Sequence, residues 1–147
     1  MNTKLHNKKW IAAIALVGAI GLQASCQTMP MGGGEQVSLA GANEVPPVQT
    51  SASGSGTVTI KDDRSVSAKI TVSGMTPTAA HIHEAAAGSN GPVIVPFSKT
   101  GDNTFEAPAG AKLTDAQYAS YKAGKLYVNV HSAQNPGGEI RAQLKGS

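Results

Sequence analysis

The chain reads as an all-β protein, an antiparallel β-sandwich of about seven strands with one short helix in a crossover. Three observations lead there. Short segments alternate apolar and polar residues at a period of two. Clusters of Gly, Pro, Asn and Ser separate those segments. A single stretch carries both the start and the stop signals of a helix.

Thr57-Val58-Thr59-Ile60 and the run from Val66 to Val72 alternate on either side of Asp62-Asp63-Arg64-Ser65, the pattern of a β-hairpin. The two aspartates read as a solvated turn, far short of the six oxygens that calcium needs. Further strands are expected over residues 79–84, 93–97, 104–106, 125–131 and 139–144. Thr114-Asp115-Ala116-Gln117 has the form of a capping box, and Gly124 follows Ala123 where a C-terminal glycine ends a helix. Tyr118 and Tyr121 of that helix are expected to pack on the sheet. Pro46-Pro47 reads as an extended loop or strand edge, and Asn90-Gly91-Pro92 as a turn able to shape whatever surrounds His83.

Ahead of the β-rich body lies an export signal over residues 1–25. Lys4, Lys8 and Lys9 form its positive region, and Ile11–Leu22 is an apolar run of about a dozen residues, short for a bilayer span. The one cysteine, Cys26, directly follows this segment after Ala24-Ser25, the placement of a lipidated N-terminal cysteine, although Gln23 stands where leucine is usual. The expected location is the cell envelope, as a lipoprotein of the outer membrane facing the periplasm; the alternative is a secreted or soluble periplasmic protein. Residues 26–36, with Gly32-Gly33-Gly34, read as a flexible tether, and residues 37–147 as the folded domain.

Of twelve Lys and Arg, three fall in the signal, and the nine that remain balance nine Asp and Glu. The domain is therefore neutral, and the basic balance of the whole chain gives no reason to expect nucleic acid as a partner. No Gly-x-Ser-x-Gly elbow and no phosphate loop is present, so an enzyme built on this chain would draw its reactivity from a metal.

The histidines carry the functional signal. Beyond the signal segment there are three, His81, His83 and His131, all in strand-like stretches. Residues two apart on a strand point the same way, so His81 and His83 present two imidazoles side by side. Leu126, Val128 and Val130 take the core side of their strand, leaving His131 on the other face with Tyr127 and Asn129. In the last strand Ile140, Ala142 and Leu144 face the core, opposite Glu139 and Arg141. Three imidazoles on a wet outer face make an open metal site, which suits copper or zinc. Met75 is a candidate soft ligand from a nearby loop, with Met29 and Met31 more distant, and this, together with a resemblance of the His81–His83 pair to a copper-binding strand, favours copper. Glu139 or Glu84 is expected to accept the spare ring N–H of a ligating histidine. Arg141 is expected to pair with Glu139 or to hold an anion at the open position.

Five segments together resemble the chordin-type (CHRD) domain: Leu39-Ala40-Gly41-Ala42-Asn43-Glu44-Val45-Pro46-Pro47, Ala80-His81-Ile82-His83, Asn90-Gly91-Pro92-Val93, Leu126 to His131, and Gly137-Gly138-Glu139-Ile140-Arg141. The resemblance implies an immunoglobulin-like or superoxide-dismutase-like β-sandwich and says less about function. A second resemblance, of Ala80-His81-Ile82-His83-Glu84 to the copper-binding strand of Cu,Zn superoxide dismutase, is local. That enzyme needs a further copper histidine and separate zinc ligands, more than three histidines supply. The expectation is a non-enzymatic metal-binding module of the envelope. The alternatives are an interaction module for another envelope protein, with structural histidines, and a dismutase-like metalloenzyme.

Overall fold

Nine strands in one antiparallel sheet make up the domain, which in the computed structural model is described for residues 33–147. The strands are β1 (Glu35–Ala40), β2 (Ser53–Ile60), β3 (Val66–Ser73), β4 (Pro77–Glu84), β5 (Val93–Pro96), β6 (Ser98–Gly101), β7 (Thr104–Glu106), β8 (Leu126–Ser132) and β9 (Ile140–Gln143). A 3₁₀ turn, Gly41–Asn43, follows β1, and the helix α1 (Asp115–Lys122) lies between β7 and β8. The export signal, Cys26, Met29 and Met31 lie outside the described residues. Among the described residues no helix is long and apolar enough to cross a membrane.

The expected seven-stranded sandwich is corrected to a nearly closed, barrel-like sheet in the order β5-β4-β8-β9-β1-β2-β3-β7-β6. The edge strands β5 and β6 are consecutive pieces of one segment, separated only by Phe97. β5 pairs with β4 and β6 with β7, so this segment borders both ends of the sheet. Phe97 N–H donates to the Ala80 carbonyl (3.0 Å), and the Lys99 ammonium donates to the Pro77 carbonyl (3.0 Å), drawing the two ends together. Curling the sheet in this way shortens the exposed edges that an open sheet would leave unpaired.

The seven expected strands correspond to β2–β5 and β7–β9. β1 and β6 are additional, and β1 begins at Glu35, ahead of the expected domain start at Val37. The predicted hairpin is present, with Ile60 opposite Val66 and the Asp63 carboxylate accepting from the Ser65 N–H (2.9 Å) in the turn. The helix has its capping box: Thr114 Oγ1 accepts from Gln117 N–H, and Gln117 Oε1 accepts from Thr114 N–H. Gly124, at φ 70°, ends it in a conformation that a residue with a Cβ adopts at a cost.

Alternation fills the interior. Val66, Ala68, Ile70 and Val72 of β3, Leu126, Val128 and Val130 of β8, and Ile140 and Ala142 of β9 are buried in one core with Ile82 and Phe105. Burying each such side chain contributes roughly 1.5–3 kcal/mol. The opposite face of β4, β8 and β9, expected to be wet, is instead roofed by residues 41–50 and 85–92. Tyr127, Asn129, Glu139 and Arg141 are all buried there. That second, polar layer holds the histidines.

Candidate metal centre

Register places the imidazoles. β4 and β8 run antiparallel with Ala79 opposite His131, His81 opposite Asn129 and His83 opposite Tyr127. Paired residues share a face, so His131 lies diagonally across from His81, with His83 one step further along β4. The ligand atoms of His81, His83 and His131 all lie within 4.8 Å of one another. The sequence expectation that two strands bring these three together holds in the structure.

Hydrogen bonds fix which nitrogens converge. His83 Nδ1–H donates to the Gly91 carbonyl (2.9 Å), and His131 Nδ1–H donates to the Pro136 carbonyl (2.9 Å), so each keeps a bare Nε2. His81 Nδ1 stands 3.0 Å from His131 Nε2 and must be the donor there, because that acceptor nitrogen has no proton. His83 Nε2 is buried and has no hydrogen-bond partner of normal geometry, with the Asn129 side chain as its polar neighbour.

Among the described residues four buried side-chain atoms lack a hydrogen-bond partner, and three of them belong to this layer: His83 Nε2, Asn129 Oδ1 and Glu44 Oε1. All three are acceptors. A buried acceptor without a donor is costly, and the Asn129 side chain is the polar neighbour that Glu44 and His83 share. Imidazoles bound to one zinc at ~2.0–2.1 Å stand at most ~4.2 Å apart, close to the 4.8 Å that bounds the separations here.

Burial disfavours the protonated form of His81 and His83, and ligation requires the neutral one. Burial, then the neighbouring His131 and His83, pushes His81 down from 6.5 to about 4. Burial also lowers His83, opposed by the Gly91 carbonyl that accepts its proton.

The expected carboxylate partners are corrected. The ring protons go to main-chain carbonyls, because residues 85–92 and the turn after β8 fold back over the rings. Glu139 accepts instead from Thr50 Oγ1 (2.7 Å) and from the Ser132 hydroxyl. Burial pushes its carboxyl up, but these bonds outweigh burial and hold it below the ordinary carboxylate range. Glu84 accepts from Ser120 Oγ (2.6 Å) and so ties β4 to α1. Arg141 pairs with neither glutamate; it donates to Asn90 Oδ1 (3.1 Å) and to the Ser89 carbonyl (2.8 Å). Met75 packs against the apolar core, on the other side of the sheet from the rings, and is withdrawn as a soft ligand.

Glu44 was not foreseen as part of this layer. It is 5% exposed, and burial raises its carboxyl against the opposing charge of Arg141. Gly138, at φ 130°, has no Cβ to spare, since one would stand 2.5 Å from Glu44 Oε1 and 2.6 Å from Asn129 Nδ2. The signal available was the position of Glu44 inside the Leu39–Pro47 segment. Beside it opens a cleft of ≈ 500 Å³ between the two roofing loops, floored by Arg141 and Gln143.

A family model for the CHRD domain matches residues 36–144, nearly the whole described body. The chain belongs to the CHRD family. The match spans every strand from β2 to β9 and all three histidines of this CHRD domain. Searches among curated proteins and among solved structures each found no match.

Proposed function

We propose that this CHRD domain is a metal-binding module whose ligands are His81, His83 and His131. The observation that carries the reading is His83 Nε2: buried, stripped of its proton by the bond from Nδ1 to Gly91, and aimed into the group of rings without a partner. The donor set fits a transition metal, with His83 offering Nε2, His131 offering Nε2 once the bond from His81 Nδ1–H is given up, and His81 one ring nitrogen. Three protein ligands leave a position open for water, an anion or a ligand from another molecule.

Copper is the metal proposed first and zinc second. With no soft ligand from Met75, the preference rests on imidazole chemistry, because divalent copper binds a nitrogen set more tightly than zinc does. The domain is read as a binding module and not as an enzyme. Residues 1–25 and Cys26 support export and a lipid anchor in the envelope, with the metal ion as ligand and no nucleic acid as partner.

A second reading, an envelope interaction module with structural histidines, is favoured by the bonds of His83 and His131 to loop carbonyls, which fasten both turns without any metal. It leaves the unpartnered Nε2 without a role. Competition titration with Cu(II) and Zn(II), in a Cys26→Ser background, separates the two. The metal reading expects one-to-one binding that His81→Ala, His83→Ala and His131→Ala each weaken while the fold persists. Equal affinity in all three variants would leave the interaction reading.

A further inference from the structure

Arg141 is 1% exposed, and the ion pairs of the described residues, Arg64–Asp115 and Lys69–Glu106, do not include it. Glu44 is an anion whose charge Arg141 feels without an ion-pair contact; burying a cation in this way is costly, and its direct contacts are to other groups. Its guanidinium carbon stands 3.4 Å from the centroid of the Tyr127 ring. On the neighbouring strand, the Tyr127 ring is parallel to that of His83, 4.8 Å away and tilted by 5°.

The same guanidinium reaches the loop above. Nη1 donates to Asn90 Oδ1 (3.1 Å) and Nη2 to the Ser89 carbonyl (2.8 Å). The next residue, Gly91, accepts the His83 Nδ1 proton (2.9 Å) and donates its own N–H to the Tyr127 hydroxyl (3.2 Å). Arg141, the 89–91 loop, Tyr127 and His83 thus close a ring of contacts. Arg141 touches both of the groups that hold His83. A planar fork can stack and donate twice at once, which a lysine ammonium cannot.

We infer that Arg141 is the positioning residue of the three-histidine site: it presses the Tyr127 ring against His83 and pins the loop whose Gly91 carbonyl selects the His83 tautomer. The inference rests on the metal-binding reading of that site, but its first readout needs no metal.

The test is long-range ¹H–¹⁵N spectroscopy of the histidine rings in the full, metal-free chain carrying Cys26→Ser, followed by Zn(II) titration. In the parent protein His83 is expected as the Nδ1–H tautomer. In Arg141→Lys and in Asn90→Ala, His83 is expected to shift towards a mixture of tautomers, while His131, held by Pro136 on another turn, stays unchanged. Zn(II) affinity is expected to fall about tenfold or more, the range for partners that orient a metal-bound histidine. Asn90 is exposed, so that variant decides the matter should Arg141→Lys fail to fold. An unchanged His83 tautomer in the folded variants, with only a lower melting temperature, would overturn the inference. A tautomer shift in a protein that binds no Zn(II) would uphold the positioning role and remove the metal reading.

Discussion

His81 shows how a single side chain couples the site to the stability of the fold. Its pKa, about 4 in the folded chain and 6.5 as the ordinary value, is lowered by burial and by the facing imidazoles. Between those values the unfolded chain binds the proton that the folded chain refuses, so stability rises with pH across that window. The contribution is complete above about 6.5 and is lost as pH falls towards 4. Urea unfolding at pH 7 and pH 5 is expected to show a lower midpoint at pH 5, and His81→Ala is expected to reduce the difference. A difference as large in the variant would assign the pH dependence elsewhere. Glu139 gives a second prediction at this scale. Its carboxylate is the acceptor for Thr50 and Ser132, so Glu139→Ala strands the buried Ser132 hydroxyl and the half-buried Thr50 hydroxyl and is expected to cost ~1–3 kcal/mol in denaturant unfolding. A loss within error would mean that the hydroxyls find other partners.

The elements that could be read in the sequence are those whose signals are local. The β2–β3 hairpin alternates cleanly around an aspartate turn, and α1 carries Thr114 and Gln117 at capping-box spacing. Thr114→Ala is expected to cost ~1 kcal/mol, measurable by thermal unfolding, and to leave the histidine spectra unchanged. β6 was invisible because Ser98–Gly101 is polar and exposed along its whole length, with no apolar face to betray a strand. β1 buries only Val37 and Leu39 and follows directly on a glycine tract. The start of β2 is hidden by Gly54 and Gly56, residues of low strand propensity. Within the site, the three histidines were legible because a His-x-His pair and the face of β8 follow from period-two geometry. Their hydrogen-bond partners were not, because the carbonyls of Gly91 and Pro136 leave no side-chain signature. Carboxylates were the partners that residue type alone suggested.

At the scale of the molecule, curling of the sheet and folding of two loops over its outer face turn a two-faced sheet into two buried layers, one apolar and one polar. Closure depends on tertiary contacts of the 93–101 segment, which no local pattern encodes, and this is why a sandwich was expected. Central strands held on both sides should open only with the whole domain, whereas the exposed β6 should open locally. Native-state hydrogen exchange is expected to find β8 and β9 amides slowest and β6 amides fast; equal protection would contradict this layering. On the proposed function, the polar layer surrounds a metal held by His81, His83 and His131. Crystals of the Cys26→Ser protein grown with one equivalent of Cu(II) or Zn(II) would test it most directly, through the anomalous difference map. One peak is expected at ~2.0–2.1 Å from His83 Nε2, His131 Nε2 and a nitrogen of His81. A well-ordered site with no peak there, or with the ion bound elsewhere on the chain, would contradict it.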